Sequence, residues 1–360
     1  MAQAMNNALC ADKVPLQSSL DLLRWLGNGL TPAGEIPAVA DWGSVLAAAT
    51  ATKTIGLLGR VAGDPAAGVP AIVAEQIVSA RRDILLTNLR NFDWTIKTVN
   101  ALQAGGIDPI VFKGALRSHH VYATWDARRS SDIDLLVRPE EYCHAQQILA
   151  ADGMIALVSD TSIWWHRCLG ESPYARPDST SPIVDLHHRV QQPGGPYPRQ
   201  MEEFFAASMV QNIGSNAIRT LSPHHALLVC AINYGKAVRA RKPWLAEMHE
   251  FAWMTRSMTR DELTAVRNLA GRNNLQGLVD ECLAVSKLLF ASSGEASADF
   301  ERAALSSIGH PASVRFERTS KLWHWMDGNL LRRGGLFTIA LSRIARAELA
   351  LRREGLSLPK

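Results

Sequence analysis

Two kinds of apolar spacing follow one another along this chain, and the change between them most restricts what it can fold into. Before about residue 110 and after about residue 200, apolar residues recur every three or four positions, the spacing of one helix face. Between these stretches the apolar runs are short, rich in β-branched residues and punctuated by Gly, Pro, Ser and Asp, as in strands of a small sheet. Such a chain is expected to be α+β, with a small mixed β-sheet core over 110–199 flanked by an N-terminal helical lobe (1–109) and a C-terminal helical lobe (200–360).

Within the first lobe, Leu20, Leu23 and Leu26 define a short helix that stops at Gly27-Asn28-Gly29, and Asp41 is placed to cap a helix through Val45, Leu46 and Ala49. Ile77, Ile84, Leu85, Leu89, Phe92, Ile96 and Val99 form the longest stripe and predict one long helix ending at Gly105-Gly106. In the core, Ile110–Phe112 and Ile133–Val137 read as strands, with helices over 115–122 and from Tyr142 to Leu149. Met154–Val158, Ile163–Cys168 and Ile183–Val190 are further expected strands, 170–182 a loop, and Gln191–Arg199 a linker. Ser222-Pro223 opens a helix through Leu227, Leu228 and Ile232, and helices are expected over 243–257, 260–272, 275–291 and in the C-terminal third.

Of the 360 residues 47% are hydrophobic, enough for a sizeable core, and the net charge of +4 suits a polyanionic substrate without resembling a nucleic-acid tail. The five cysteines (10, 143, 168, 230 and 282) form no CxxC pair, which argues against a zinc site or disulfide framework and fits a reducing, cytoplasmic setting. The N-terminus lacks the pattern of a signal peptide, and no apolar run approaches a membrane span.

The chemistry concentrates in the middle. Alternate residues of a strand share a face, so Asp132 and Asp134 in SSDIDLLV project together while Ile133 points away. Two adjacent carboxylates repel unless a cation lies between them, and an oxygen-only cluster suits Mg2+ (or Mn2+). Asp185 and His187 share a face in the same way in IVDLH. A carboxylate pair with a third acid on a neighbouring strand can hold two metal ions that clamp an in-line phosphoryl displacement. On spacing alone, however, the same acids could be a solvated strand end. Phe112-Lys113-Gly114-Ala115 adds a glycine where a strand hands over to a helix, allowing backbone amides to approach a phosphate, with Lys113 or a nearby basic residue neutralising charge.

The order strand–KGA–helix–RRSSDIDLLV–helix–strand–VDLHH resembles the DNA polymerase β-type nucleotidyltransferase superfamily, and more narrowly its uncharacterised NTP_transf_5 branch, over roughly residues 110–190. That branch carries a KG-A turn, an Arg shortly before DIDLL and a D-L-H third acid, matched here by Lys113-Gly114-Ala115, Arg128 or Arg129, and Asp185-Leu186-His187. The resemblance implies a nucleotidyltransferase α/β core. It also implies metal-dependent transfer of a nucleoside monophosphate from a nucleoside triphosphate to a hydroxyl of a small molecule, peptide or protein. Asp132 and Asp134 would ligate both metals, and Asp185 would ligate the catalytic metal and accept the acceptor's proton. Nucleotide-binding candidates are Lys113, Gly114, Ala115, Ser118, Arg128, Arg129, Ser131, Lys236 and Lys242. Ala115 stands where the superfamily commonly has Gly or Ser, so backbone amides or Ser118 would contact the phosphate instead; Glu247 is an approximate match to an acid on a later helix of the branch.

Other readings compete. A nucleotide-binding regulator or antitoxin-like protein would keep the fold without turnover, and a same-fold transferase could use a nucleotide-sugar donor. A nucleic-acid partner is not expected, since there is no long basic stripe. Adjacent histidines (119–120, 187–188, 224–225) cannot easily chelate one ion in a strand, but His187 could support Asp185. Trp164, Trp165, Trp244, Trp253, Trp323 and Trp325 could stack on bases, though core packing is the commoner role. Leu336–Arg353, with interleaved arginines, reads as a closing amphipathic helix or a membrane-surface segment.

Overall fold

The computed structural model describes residues 16–28, 38–62, 68–158, 170–177, 181–191, 196–239, 242–290 and 298–308. The expected strand at 163–168, the tryptophans at 164, 165, 323 and 325, and the segment 336–353 lie outside them.

Among the described residues the N-terminal lobe contributes α1 (Leu16–Asn28), α2 (Trp42–Ala51), α3 (Ile55–Ala62) and α4 (Ala71–Ala104). Asp41 caps α2 as expected, its Oδ1 accepting from the Gly43 N–H at 3.0 Å. The core follows as β1 (Ile110–Val111), α5 (Ala115–Tyr122), β2 (Asp132–Leu136), α6 (Tyr142–Ala151), β3 (Ile155–Ala156), β4 (Glu171–Ala175) and β5 (Ile183–His187). After these come α7 (Met201–Ala206), the hairpin β6 (Met209–Ile213) and β7 (Asn216–Thr220), and then α8 (Pro223–Arg239), α9 (Leu245–Thr255), α10 (Arg260–Arg272), α11 (Gln276–Phe290) and α12 (Ala298–Ile308).

The seven strands form one mixed sheet ordered β3-β4-β5-β2-β1-β7-β6. β2 runs parallel to β5 and antiparallel to β1, and β1 runs parallel to β7. Two features depart from the sequence reading. The stretch 170–182 is no simple loop, because Glu171–Ala175 forms β4 between β3 and β5. Strand character also resumes beyond residue 199, since β6 and β7 close one side of the sheet. Pro173 and flanking polar residues hide β4, whereas a Gly214-Ser215 turn between alternating residues is a hairpin signal.

The strand pleat sorts the core into two layers. Ile133, Leu135, Val184 and Leu186 pack with Val99 and Leu102 of α4 and Ala145 and Leu149 of α6. Ile110, Phe112 and Leu136 belong to the larger core built with α1–α3 and α8–α12. Asp132 and Asp134 alternate with Ile133 and Leu135, so they lie on this second face, turned toward the helices.

The long helix α4 forms as the stripe predicts, but its buried side is not the apolar one alone. Ile77, Ile84 and Val99 are buried, whereas Leu89 is 42% exposed and Asn88 is 0% exposed. Asn91, Thr95 and Thr98 are buried beside it. This polar strip grips the loop between α5 and β2. Asn88 Nδ2 donates to the carbonyls of Trp125 (2.6 Å) and Arg128 (2.7 Å), and its Oδ1 accepts from the Ser130 N–H (2.9 Å). Asn91 Nδ2 donates to the Ser130 carbonyl at 2.9 Å.

Candidate active site

β2 and β5 are paired so that Asp134 stands directly opposite Asp185 and Leu136 opposite His187. In parallel neighbours, opposed residues point to the same side, so both acids and the imidazole converge. One ligand atom each from Asp134, Asp185 and His187 lies within 4.8 Å of the others, a spacing compatible with a shared metal ion. Asp132 is on the same face at the start of β2, opposite Ile183 and outside that group of three.

Asp134 is buried, with Lys113 Nζ 3.4 Å and His187 Nε2 3.2 Å from its Oδ1. The other imidazole nitrogen, Nδ1, lies 3.5 Å from Glu171 Oε2, and the ring stands edge-on to Phe112 with centroids 5.1 Å apart. His187 thus bridges two strands, because Glu171 on β4 is its register partner.

These neighbours set the charge states. Burial works to raise the Asp134 carboxyl, but Lys113 and His187 outweigh it and hold the group well below the usual carboxylate range. Asp132 is displaced upward, by burial first and by the Asp134 charge second, against Lys113, Ser131 and Lys53. Asp185 is pushed up to about 6 by burial; His187 opposes the shift, and Asp134 and Asp132 add to it. One firm carboxylate thus sits beside two that ionise reluctantly.

The glycine turn has the conformation its position demands. Gly114 precedes α5 with φ +81°, a region that disfavours any side chain, and an added Cβ would lie 3.4 Å from the Asp132 carbonyl. Lys113 thereby stays beside Asp134 while the chain turns into α5. Ala115 is buried and supplies only backbone.

The basic and hydroxyl candidates divide. Lys236 on α8 is exposed as a residue, yet its pKa is lowered, first by loss of surrounding water and then by Lys113, with Glu171 and Asp134 opposing. Its charge therefore interacts with those of Lys113, Glu171, Asp134 and Lys242 around the acid cluster. Ser131 is exposed and supports Asp132. Ser118 is buried and committed to the fold: its hydroxyl donates to the Thr124 carbonyl (3.0 Å) and accepts from the Arg128 N–H (3.2 Å). Arg129 is exposed and donates to Thr87 Oγ1 at 3.2 Å.

Arg128 is committed elsewhere. Its guanidinium pairs with Glu247 at 2.7 Å and with Glu250, and Glu250 also binds Arg117. Glu250 is 0% exposed, so this network joins α5 and the loop before β2 to α9 through the interior. Glu247, an approximate match in sequence, is the second acid of the network. Trp244 and Trp253 are buried packing residues, against Tyr234 (5.1 Å) and Tyr122 (5.7 Å). Sequence reasoning missed Glu171, hidden in the stretch read as a loop, and Lys53, whose charge reaches Asp132 from the end of α2.

A mixed sheet with a D-x-D strand, a third acid opposite it and a glycine turn into a helix is a nucleotidyltransferase-like arrangement. The chain belongs to the uncharacterised nucleotidyltransferase family, whose model matches residues 38–291. A comparison with curated proteins found no match. Among solved structures, an antigenic nucleotidyltransferase-like protein from Paracoccidioides brasiliensis is similar at 14% identity, with 56% of this chain and 92% of that one covered and a TM-score of 0.30. Among the described residues, no helix is long and apolar enough to cross a membrane.

Proposed function

We propose that this chain is a Mg2+- or Mn2+-dependent nucleotidyltransferase that moves a nucleoside monophosphate from a nucleoside triphosphate to a hydroxyl of a small molecule, peptide or protein. The observation that carries this reading is the register of β2 and β5, which sets Asp134 against Asp185 with Asp132 on the same face. Two carboxylates and the imidazole of His187, whose Nε2 lies 3.2 Å from Asp134 Oδ1, offer ligand atoms within 4.8 Å of one another, a donor set that suits a divalent cation. Asp134, Asp185 and Asp132 would hold such cations, which when bound would supply positive charge to the phosphates and to the attacking and leaving oxygens.

The remaining work falls to the protein's own groups. Lys113 and Lys236 would meet the triphosphate, since Lys113 Nζ lies 3.4 Å from Asp134, the Lys236 charge interacts with those of Asp134 and Glu171, and neither pairs with Glu250. The Gly114 turn would let the backbone approach the phosphates closely. Asp185, with a carboxyl near 6, is the group suited to take the acceptor hydroxyl's proton as its oxygen bonds to the α-phosphorus and pyrophosphate leaves. Arg128 takes a positioning role, since its two terminal nitrogens are engaged by Glu247 and Glu250. A cytoplasmic setting suits a triphosphate donor.

The test is a screen of labelled ATP, GTP, CTP and UTP with Mg2+ or Mn2+ against host lysate, comparing the native chain with Asp132→Asn and Asp134→Asn. Label transfer that both substitutions abolish, with an added mass of one nucleoside monophosphate, is the expected result. Transfer unchanged in Asp134→Asn would reject this site. Nucleotide binding without turnover across the screen would make the chain a nucleotide-binding regulator, and an added sugar mass would point to a nucleotide-sugar donor.

A further inference from the structure

Away from the acids, α7, the start of α8 and α10 enclose a recess of about 360 Å³, lined by Ser222, His224, His225, Asn268, Leu269 and Arg272. It shares no residue with the acid cluster. An adjoining lobe of about 310 Å³ brings in Glu203.

His225 gives the recess its chemistry. It is only 5% exposed, and its Nε2 is buried without a hydrogen-bond partner although the residue lines both lobes. The other ring nitrogen is accounted for. Ser222 Oγ accepts from the His225 N–H at 3.4 Å, which leaves the hydroxyl proton free to donate to Nδ1 at 2.8 Å. With Ser222 as the donor, the imidazole accepts at Nδ1 and carries its proton on Nε2, a buried atom of a residue that lines the recess. Burial lowers the His225 pKa, with His224 and Arg272 adding to the shift and Glu203 opposing it.

The surrounding groups are also mainly donors. Arg272 Nε donates to Glu203 Oε1 at 3.1 Å, which leaves its terminal N–H groups for the recess, and the Asn268 amide adds more. Two carboxylates are near: Glu203, engaged by Arg272 and by Asn273 Nδ2 at 3.2 Å, and Glu262, engaged at the start of α10 by Thr259 and close enough to His224 to interact with it. The recess also lies at the positive end of the 17-residue helix α8.

We propose that this recess binds a small molecule through a phosphate or carboxylate group, held by His225 Nε2–H and Arg272 at the N-terminus of α8. The site is independent of the proposed transferase reaction, so either can fail without the other.

The test follows the histidine ring signals of the full chain by NMR during separate titrations with inorganic phosphate and acetate. The expected result is an Nε2-protonated His225 in the free protein and a saturable shift of its ring signals with at least one anion. Arg272→Gln should weaken that binding by about 10-fold or more, and Arg272→Lys, which keeps the charge and guards against misfolding, should restore part of it. A response to phosphate alone or to acetate alone supports the site and names the group it takes. A proton on Nδ1 in the free protein, no saturable shift with either anion, or binding unchanged in a folded Arg272→Gln variant would overturn it.

Discussion

Asp134 and Asp185 are register partners on adjacent parallel strands, yet their carboxyls are displaced in opposite directions. The difference lies in their neighbours. Lys113 and His187 both approach Asp134, while for Asp185 burial and the like charges of Asp134 and Asp132 outweigh His187. Two carboxyls on one face thus differ in how readily they hold a proton.

A pH dependence follows for metal binding. The Asp185 carboxyl is raised from 3.8 to about 6, so the folded state takes up its proton more readily than the unfolded state. Its contribution to stability is full below 3.8 and is lost as pH rises through about 6. A divalent cation between the acids reverses that loss, so Mg2+ or Mn2+ should raise Tm more at about pH 7.5 than at about pH 5. Asp185→Asn should flatten the difference. Equal metal-induced shifts at both pH values would remove Asp185 from the metal site.

Glu250 should matter to stability more than any exposed acid. It is completely buried and compensates both Arg117 and Arg128, so Glu250→Ala leaves two guanidinium groups in the interior without their shared partner. The expected loss is about 3–5 kcal/mol in urea unfolding, with Glu250→Gln losing less because it can still accept hydrogen bonds. An alanine variant as stable as the native chain would mean that water or other acceptors replace Glu250 readily.

Asn88 fastens three backbone groups of the loop before β2 from the middle of α4. Asn88→Ala should cost about 2–4 kcal/mol and speed hydrogen exchange at the Ser130 amide. Asn88→Asp should be worse, since it keeps the acceptor for Ser130 but sets a carboxylate oxygen against the carbonyls of Trp125 and Arg128. If alanine and aspartate behaved alike, the donor half of this clamp would be unimportant.

Gly114→Ala tests the turn directly. The space an added Cβ would meet is ordinary contact, 3.4 Å to the Asp132 carbonyl, so the penalty should come from the backbone, φ +81° with ψ −161°, a region open essentially to Gly alone, and amount to about 1–3 kcal/mol. Thermal unfolding measures it. Loss of transfer beyond what the fall in stability explains would show that the turn's shape, and not only its stability, serves the site.

Much of the site was legible because strand alternation is a short-range rule. DID and DLH each place two chemical groups on one face wherever their strands pair, and the pairing then needed only one register. Glu171 was not legible, since Pro173 and its polar neighbours imitate a loop until β3 and β5 flank them. Arg128 looked like a phosphate ligand because Glu250, 122 positions away in the chain, cannot be seen from its local sequence. The apolar stripe of α4 predicted the helix correctly and its buried side incompletely. Asn88 and Asn91 are buried because a loop with backbone groups to satisfy lies against them.

The sheet's order also bears on how the chain reaches its fold. β1, which leads into the Gly114 turn, pairs on one side with β2 and on the other with β7, where Val111 meets Thr220. A nascent chain therefore emerges with its glycine turn and acid strand complete long before the strand that flanks them has been made. Until Thr220 clears the ribosome, one edge of β1 stays open to any passing strand, and a fragment cut at residue 199 would keep that edge permanently.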